Sequence, residues 1–143
     1  MDRQYPAGTA FHEAGHAVVG HSLGLRVGGI HIDEEGEGGG ARICECTGYR
    51  TFVEQTALKL AGMKAEALWE QSTLPLGRSD DEEFVKQCSG LSDKCREEIR
   101  RLGRKLAGEK LAKYAAKVKA VAEHLIKYGQ MTEFEFEALM RAH

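Results

Sequence analysis

Residues 9–24 read Thr9-Ala10-Phe11-His12-Glu13-Ala14-Gly15-His16-Ala17-Val18-Val19-Gly20-His21-Ser22-Leu23-Gly24. Phe11, Ala14, Val18, Val19 and Leu23 recur at helical spacing, and Gly24 is a stop signal, so the segment reads as an amphipathic helix. Within it, His12 and His16 are four residues apart and lie one turn apart on one face. Imidazoles in that relation can converge on one tetrahedral metal ion, zinc most naturally. Glu13 is offset from His12 by about 100°, so it reaches a water on the metal without being a ligand. Zinc brings the pKa of such a water to about 7. Glu13 can then accept its proton and pass it to a leaving amine. With 6 histidines in 143 residues, a random chain of this composition contains the H-E-x-x-H pattern roughly 3% of the time.

A zinc site of this kind needs a third protein ligand and an open position. The extended pattern with a third histidine would place it at position 22, where Ser22 stands. His21 follows His16 by five residues and points off the His12/His16 face, as an ordinary helix histidine would. An acidic ligand from a later helix remains, with Glu66, Glu70, Asp80 and Asp81 as candidates that spacing alone does not separate.

Outward from this helix, residues 26–33 alternate as a strand, the four glycines within 34–40 mark a turn, and 41–47 read as a second strand. A hairpin follows, with Ile43 and Glu45 on one face and Cys44 and Cys46 on the other. From about residue 51 the chain turns helical. One helix runs over roughly 52–71, with Val53, Ala57, Leu60, Ala61, Met63 and Leu68 as its expected buried set. A loop covers 72–77, and a helix begins near Ser79 and closes at Gly90. Ser92 caps the next, which is one long helix or two broken near Gly103 and Gly108. Gly129 ends it, and Thr132 with Glu135 forms a capping-box pattern for a last short helix. The expected fold class is mostly α with a small β-hairpin or sheet, in a single domain over 1–143.

The 20 basic and 22 acidic side chains leave a net charge of −2, which offers no support for nucleic acid as an obligate partner. No run of 18 apolar residues suits a transmembrane helix, and residues 1–6 carry no secretory signal. Four cysteines are too sparse for a disulfide scaffold, so a reducing, cytoplasmic setting is expected. Cys44 and Cys46 match no zinc-finger spacing with Cys88 and Cys95. The basic groups of 97–113 are interleaved with Glu97, Glu98 and Glu109, as on a solvated helix face. Gly103-x-x-x-x-Gly108-Glu109-Lys110 has glutamate where a phosphate loop needs lysine.

Thr9 to Gly20, together with Leu23-Gly24-Leu25-Arg26-Val27 and Ile30-His31-Ile32, resembles the active-site region of the peptidase domain of FtsH-type ATP-dependent zinc proteases. Ala61-Gly62-Met63-Lys64-Ala65-Glu66 is similar to that family's helix ending in acids. Leu76-Gly77-Arg78-Ser79-Asp80-Asp81 resembles its Gly-Ala-Ser-Asn-Asp segment, and residues 118–139 are similar to its closing helices. The resemblance implies a zincin-like metallopeptidase domain with the HExxH helix near its N-terminus. It implies zinc held by His12, His16 and Asp81, with Glu13 as the catalytic base. The chain departs from the family at Ala67, where the family has a second acid, and at Asp80, where it has asparagine; Asp80 could compete with Asp81 as ligand. The family's membrane anchor and ATPase module have no counterpart here. Hydrolysis would then be limited to flexible or unfolded polypeptides, or would depend on a separate ATPase as partner; a homo-oligomer with a second copy of the chain is a further expectation. The edge of strand 41–47 offers β-augmentation to an extended peptide. The alternative function is a non-hydrolytic peptide-binding or adaptor module derived from a peptidase.

Overall fold

The computed structural model describes residues 5–33, 39–44, 51–70 and 90–142. The first helix, α1 (Ala7–Ser22), starts where Pro6 leaves extended backbone, and it ends at Leu23. Its end is a Schellman motif: Gly24, at φ 86°, donates to His21, and Leu25 donates to Gly20. The left-handed turn at Gly24 reverses the chain and sinks Leu25 into the interior, where it is 3% exposed.

Strands β1 (Arg26–Ile32) and β2 (Gly39–Cys44) form the expected antiparallel hairpin. β2 starts earlier than expected, because Gly39 and Gly40 pair with Ile32 and His31 rather than belonging to the turn. Residues 34–38, the rest of the turn, and 45–47, the expected end of the strand, lie outside the described residues. The register shifts between Val27 and Ile30, around Gly29 at φ 146°. That extra residue brings the side chains of Val27, Ile30 and Ile32 all into the core.

The sheet gains a third strand that periodicity did not reveal. β3 (Gln130–Thr132) pairs antiparallel with β1, so the order is β2-β1-β3. Three residues are too few to show an alternation, and the pairing spans a hundred positions of chain.

Helix α2 (Phe52–Glu70) packs antiparallel to α1 through small residues. A Cβ at Gly15 would come 2.6 Å from Ala65 Cβ and 2.7 Å from the Ala61 carbonyl oxygen. Ala57, Leu58, Ala61, Met63 and Ala65 are buried, whereas Leu68 is 57% exposed, contrary to the expected set. The buried stripe is set by close approach to α1 and not by side-chain size. Phe11 stacks on Trp69 at 5.6 Å and 13° and closes one end of this interface.

The long C-terminal helical stretch is two helices, α3 (Asp93–Lys113) and α4 (Ala115–Tyr128), parted at Tyr114. Gly103 and Gly108, where a break was the alternative to one long helix, are both helical. Gly103 is needed for packing, since a Cβ there would lie 2.6 Å from Thr56 Cγ2 on α2. Ser92 caps α3 by accepting from the Cys95 amide, as expected. Gly129, at φ 76°, ends α4 and turns the chain into β3. Thr132 then opens α5 (Glu133–Arg141) with the expected capping box. The core gathers α1, α4, the inner sheet face and Phe136 of α5, with α1 at its centre. Among the described residues no helix is long and apolar enough to cross a membrane.

Candidate metal centre

His12 and His16 project from the middle of α1 toward α2 and are half-buried. Their Nε2 atoms are 3.2 Å apart, with the rings edge to face at 75°. Each Nδ1 has its own partner on α2. His16 Nδ1 donates to the Leu58 carbonyl at 2.8 Å, and His12 Nδ1 lies 3.3 Å from Glu66 Oε2. A carbonyl and a carboxylate accept and do not donate, so in the neutral rings both Nδ1 atoms carry the proton. When both rings are neutral, the two Nε2 atoms are left as lone pairs facing one another; when one ring is protonated, its Nε2 donates to the other. Two neutral acceptors at that distance repel unless a cation, a proton or a metal ion, sits between them.

The spacing fits a metal ion. Two nitrogens bound at 2.0–2.1 Å with a tetrahedral angle lie about 3.3 Å apart. The donor set, two imidazoles oriented by a carbonyl and a carboxylate, is the arrangement that fixes ring direction and raises ligand basicity at metal sites. His12 and His16 therefore fit zinc.

Gly62 makes the room that the two imidazoles occupy. A Cβ there would overlap His16 Nε2 and lie 2.8 Å from His12 Cδ2. Gly8, in the first turn of α1, leaves space for Glu66; a Cβ at Gly8 would be 3.1 Å from Glu66 Oε1. The Glu66 carboxylate thus sits beside the positive end of the α1 dipole as well as against His12. Glu66 meets the Nδ1 side of the His12 ring, away from the Nε2 pair, so this geometry gives it an orienting role and not that of a ligand.

Burial holds His16 well below the ordinary histidine range, at about 4, and the neighbouring His12 charge acts in the same direction. The ring therefore stays neutral, as a metal ligand must be. Glu13, next along α1, is pushed the other way: burial raises its pKa. The charge of His12, a hydrogen bond from the Ala41 amide and the charge of His31 oppose the rise without cancelling it. A carboxylate with a raised pKa is a stronger base than an exposed one.

Of the expected site residues, His12, Glu13 and His16 are brought together. Asp80 and Asp81 lie outside the described residues, and among the described residues no group of three metal-binding side chains converges. His21 is off this face, as expected; it approaches Glu137 at 3.6 Å and meets the Phe136 ring edge-on. Cys46 and Cys88 are outside the described residues, and Cys95 is an exposed free thiol.

Sequence reading missed the Leu58 carbonyl, the Ala41 amide and Gly62. The first two are backbone groups, which every residue carries. Gly62 did give a signal: a glycine inside a helical pattern marks close approach by a neighbour. No protein-family model matches the chain, and no curated protein matches it.

Proposed function

We propose that this chain is a zinc-dependent endopeptidase with a zincin-like fold, of the FtsH peptidase type, acting on flexible or unfolded polypeptides in a reducing, cytoplasmic setting. The observation that carries the reading is the convergence of the Nε2 atoms of His12 and His16, 3.2 Å apart, each ring held by a partner on its opposite nitrogen. His12 and His16 hold the ion, and the resemblance assigns the third position to Asp81, with Asp80 as its competitor. Zinc, when bound, acidifies water and polarises a carbonyl.

Glu13 takes a proton from the attacking water as its oxygen adds to the scissile carbonyl carbon. It returns that proton to the amine nitrogen as the C–N bond breaks, giving a new carboxyl and a new amino terminus. Burial, which raises the Glu13 pKa, suits both halves of that cycle. The edge of β2 lies beside this carboxylate, since the Ala41 amide bonds Glu13, and an extended peptide could pair there. A separate ATPase is the partner that would deliver folded substrates, and a second copy of the chain, as a homo-oligomer, is a further partner in this reading.

Metal content per chain by elemental mass spectrometry, measured beside turnover of an unfolded protein, tests the reading. About one zinc per chain is expected in the wild type and in Glu13→Gln, and none in His16→Ala. Hydrolysis is expected in the wild type alone. Stoichiometric zinc in His16→Ala removes the ligand assignment. Zinc without turnover in the wild type leaves the peptide-binding module as the function.

A further inference from the structure

We propose that His31 is a further catalytic residue of this site, donating an imidazole N–H to the carbonyl oxygen of the scissile bond of a peptide lying along the β2 edge beside Glu13. The inference rests on the zinc-peptidase reading above and adds to it a residue outside the H-E-x-x-H motif.

Three observations place His31 there. On β1 it alternates with Ile30 and Ile32, which are 3% and 4% exposed, while His31 itself is exposed. Its side chain therefore rises from the open face of the sheet. Its ladder partners are Gly40 on β2 and Gln130 on β3. The Gln130 side chain occupies one flank, whereas Gly40 leaves the other bare. A Cβ at Gly40 would lie 3.8 Å from His31 Cε1, so the ring reaches over the glycine toward β2. β2 is paired with β1 on one side only, which puts its other edge at the margin of the described sheet.

The next residue, Ala41, gives its amide to Glu13. His31 thus lies over Gly40, and Glu13 reaches the neighbouring Ala41 from α1, so both groups adjoin the same two residues of β2. A peptide laid along this edge would have its carbonyl between the base on one side and the imidazole on the other. Charge grows on that oxygen as water adds to the carbonyl, so a donor aimed at it binds the transition state better than the ground state.

The test uses the full chain as purified, with His31→Ala and His31→Asn, the latter keeping a neutral donor. Turnover of a flexible fluorogenic peptide should fall by about 10²-fold in kcat for His31→Ala, with KM unchanged. His31→Asn should recover part of the loss, and zinc content should be equal in all three. A second readout is independent of turnover. A phosphinic peptide, tetrahedral at the scissile position, should bind His31→Ala about 10²-fold more weakly than wild type. The parent peptide should bind Glu13→Gln and Glu13→Gln/His31→Ala equally. Wild-type kcat and phosphinic affinity in His31→Ala would overturn the assignment while leaving the peptidase reading intact. A wild-type chain with no zinc, no turnover and no phosphinic binding would overturn both.

Discussion

His12 and His16 face each other through their Nε2 atoms at 3.2 Å, each ring turned by a different residue of α2. The consequence is a helix pair whose packing and metal affinity are one problem: what holds α2 against α1 also aims the lone pairs.

Glu66 lies against His12 Nδ1, where it would orient the ring and raise its basicity toward a metal ion. Removing such a partner typically costs 10- to 100-fold in metal affinity. Glu66→Gln should therefore weaken zinc binding by about that factor, read by competition with a chromophoric chelator, with the fold unchanged by circular dichroism. Unaltered affinity would mean that the carboxylate serves only the start of α1.

Gly62→Ala puts a methyl group where the imidazoles stand. α1 and α2 must separate to admit it, at a cost of about 1–3 kcal/mol. Substoichiometric zinc and a lowered melting temperature are expected together. Gly108→Ala is the control, because its Cβ would meet only the end of the flexible Lys64 side chain, at 3.2 Å. That variant should keep its zinc.

The metal-free protein should lose stability as pH falls through the window set by His16. Its pKa is about 4 in the folded chain against 6.5 for the free side chain. Between these values the unfolded state binds a proton that the folded state refuses. The contribution is thus fully present above pH 6.5 and is lost progressively down to about pH 4. The loss amounts to about 3 kcal/mol. Urea denaturation at a series of pH values should show that slope in the wild type and a shallower one in His16→Leu. Equal slopes would exclude a depressed His16.

Thr132 caps α5 by accepting from the Glu135 amide at 3.1 Å, while Glu135 Oε1 accepts from the Thr132 amide at 3.0 Å. Thr132→Ala should destabilise the chain by about 1 kcal/mol. Zinc content should not change, because the cap lies on β3 and α5 and not on the α1/α2 pair. A drop in metal content would instead show that α5 is coupled to the site.

Much of this architecture was legible locally. The spacing of Phe11, Ala14, Val18 and Val19 specified α1, and the same helical period put His12 and His16 one turn apart. Gly24, Ser92, Gly129 and the Thr132/Glu135 pair marked ends and starts, because caps depend on residues within one turn of each other. Periodicity misjudged whatever depends on a distant neighbour. Gly103 could be read as a helix break and is a contact with Thr56. Leu68 looked buried and is exposed, because small residues choose the face of α2 that meets α1. β3 went unseen because its three residues are a strand only through pairing with β1.

The division runs through the site itself. Sequence alone determined that two imidazoles and a carboxylate share one helix, since residue order and 3.6 residues per turn suffice for that. It did not determine which nitrogen of each ring is free. That was decided by Leu58 and Glu66, 42 and 54 positions away from their partners, and by the glycine that lets their helix come close. A histidine's tautomer depends on the hydrogen bond its other nitrogen makes, and only the packing of α1 against α2 supplies those bonds.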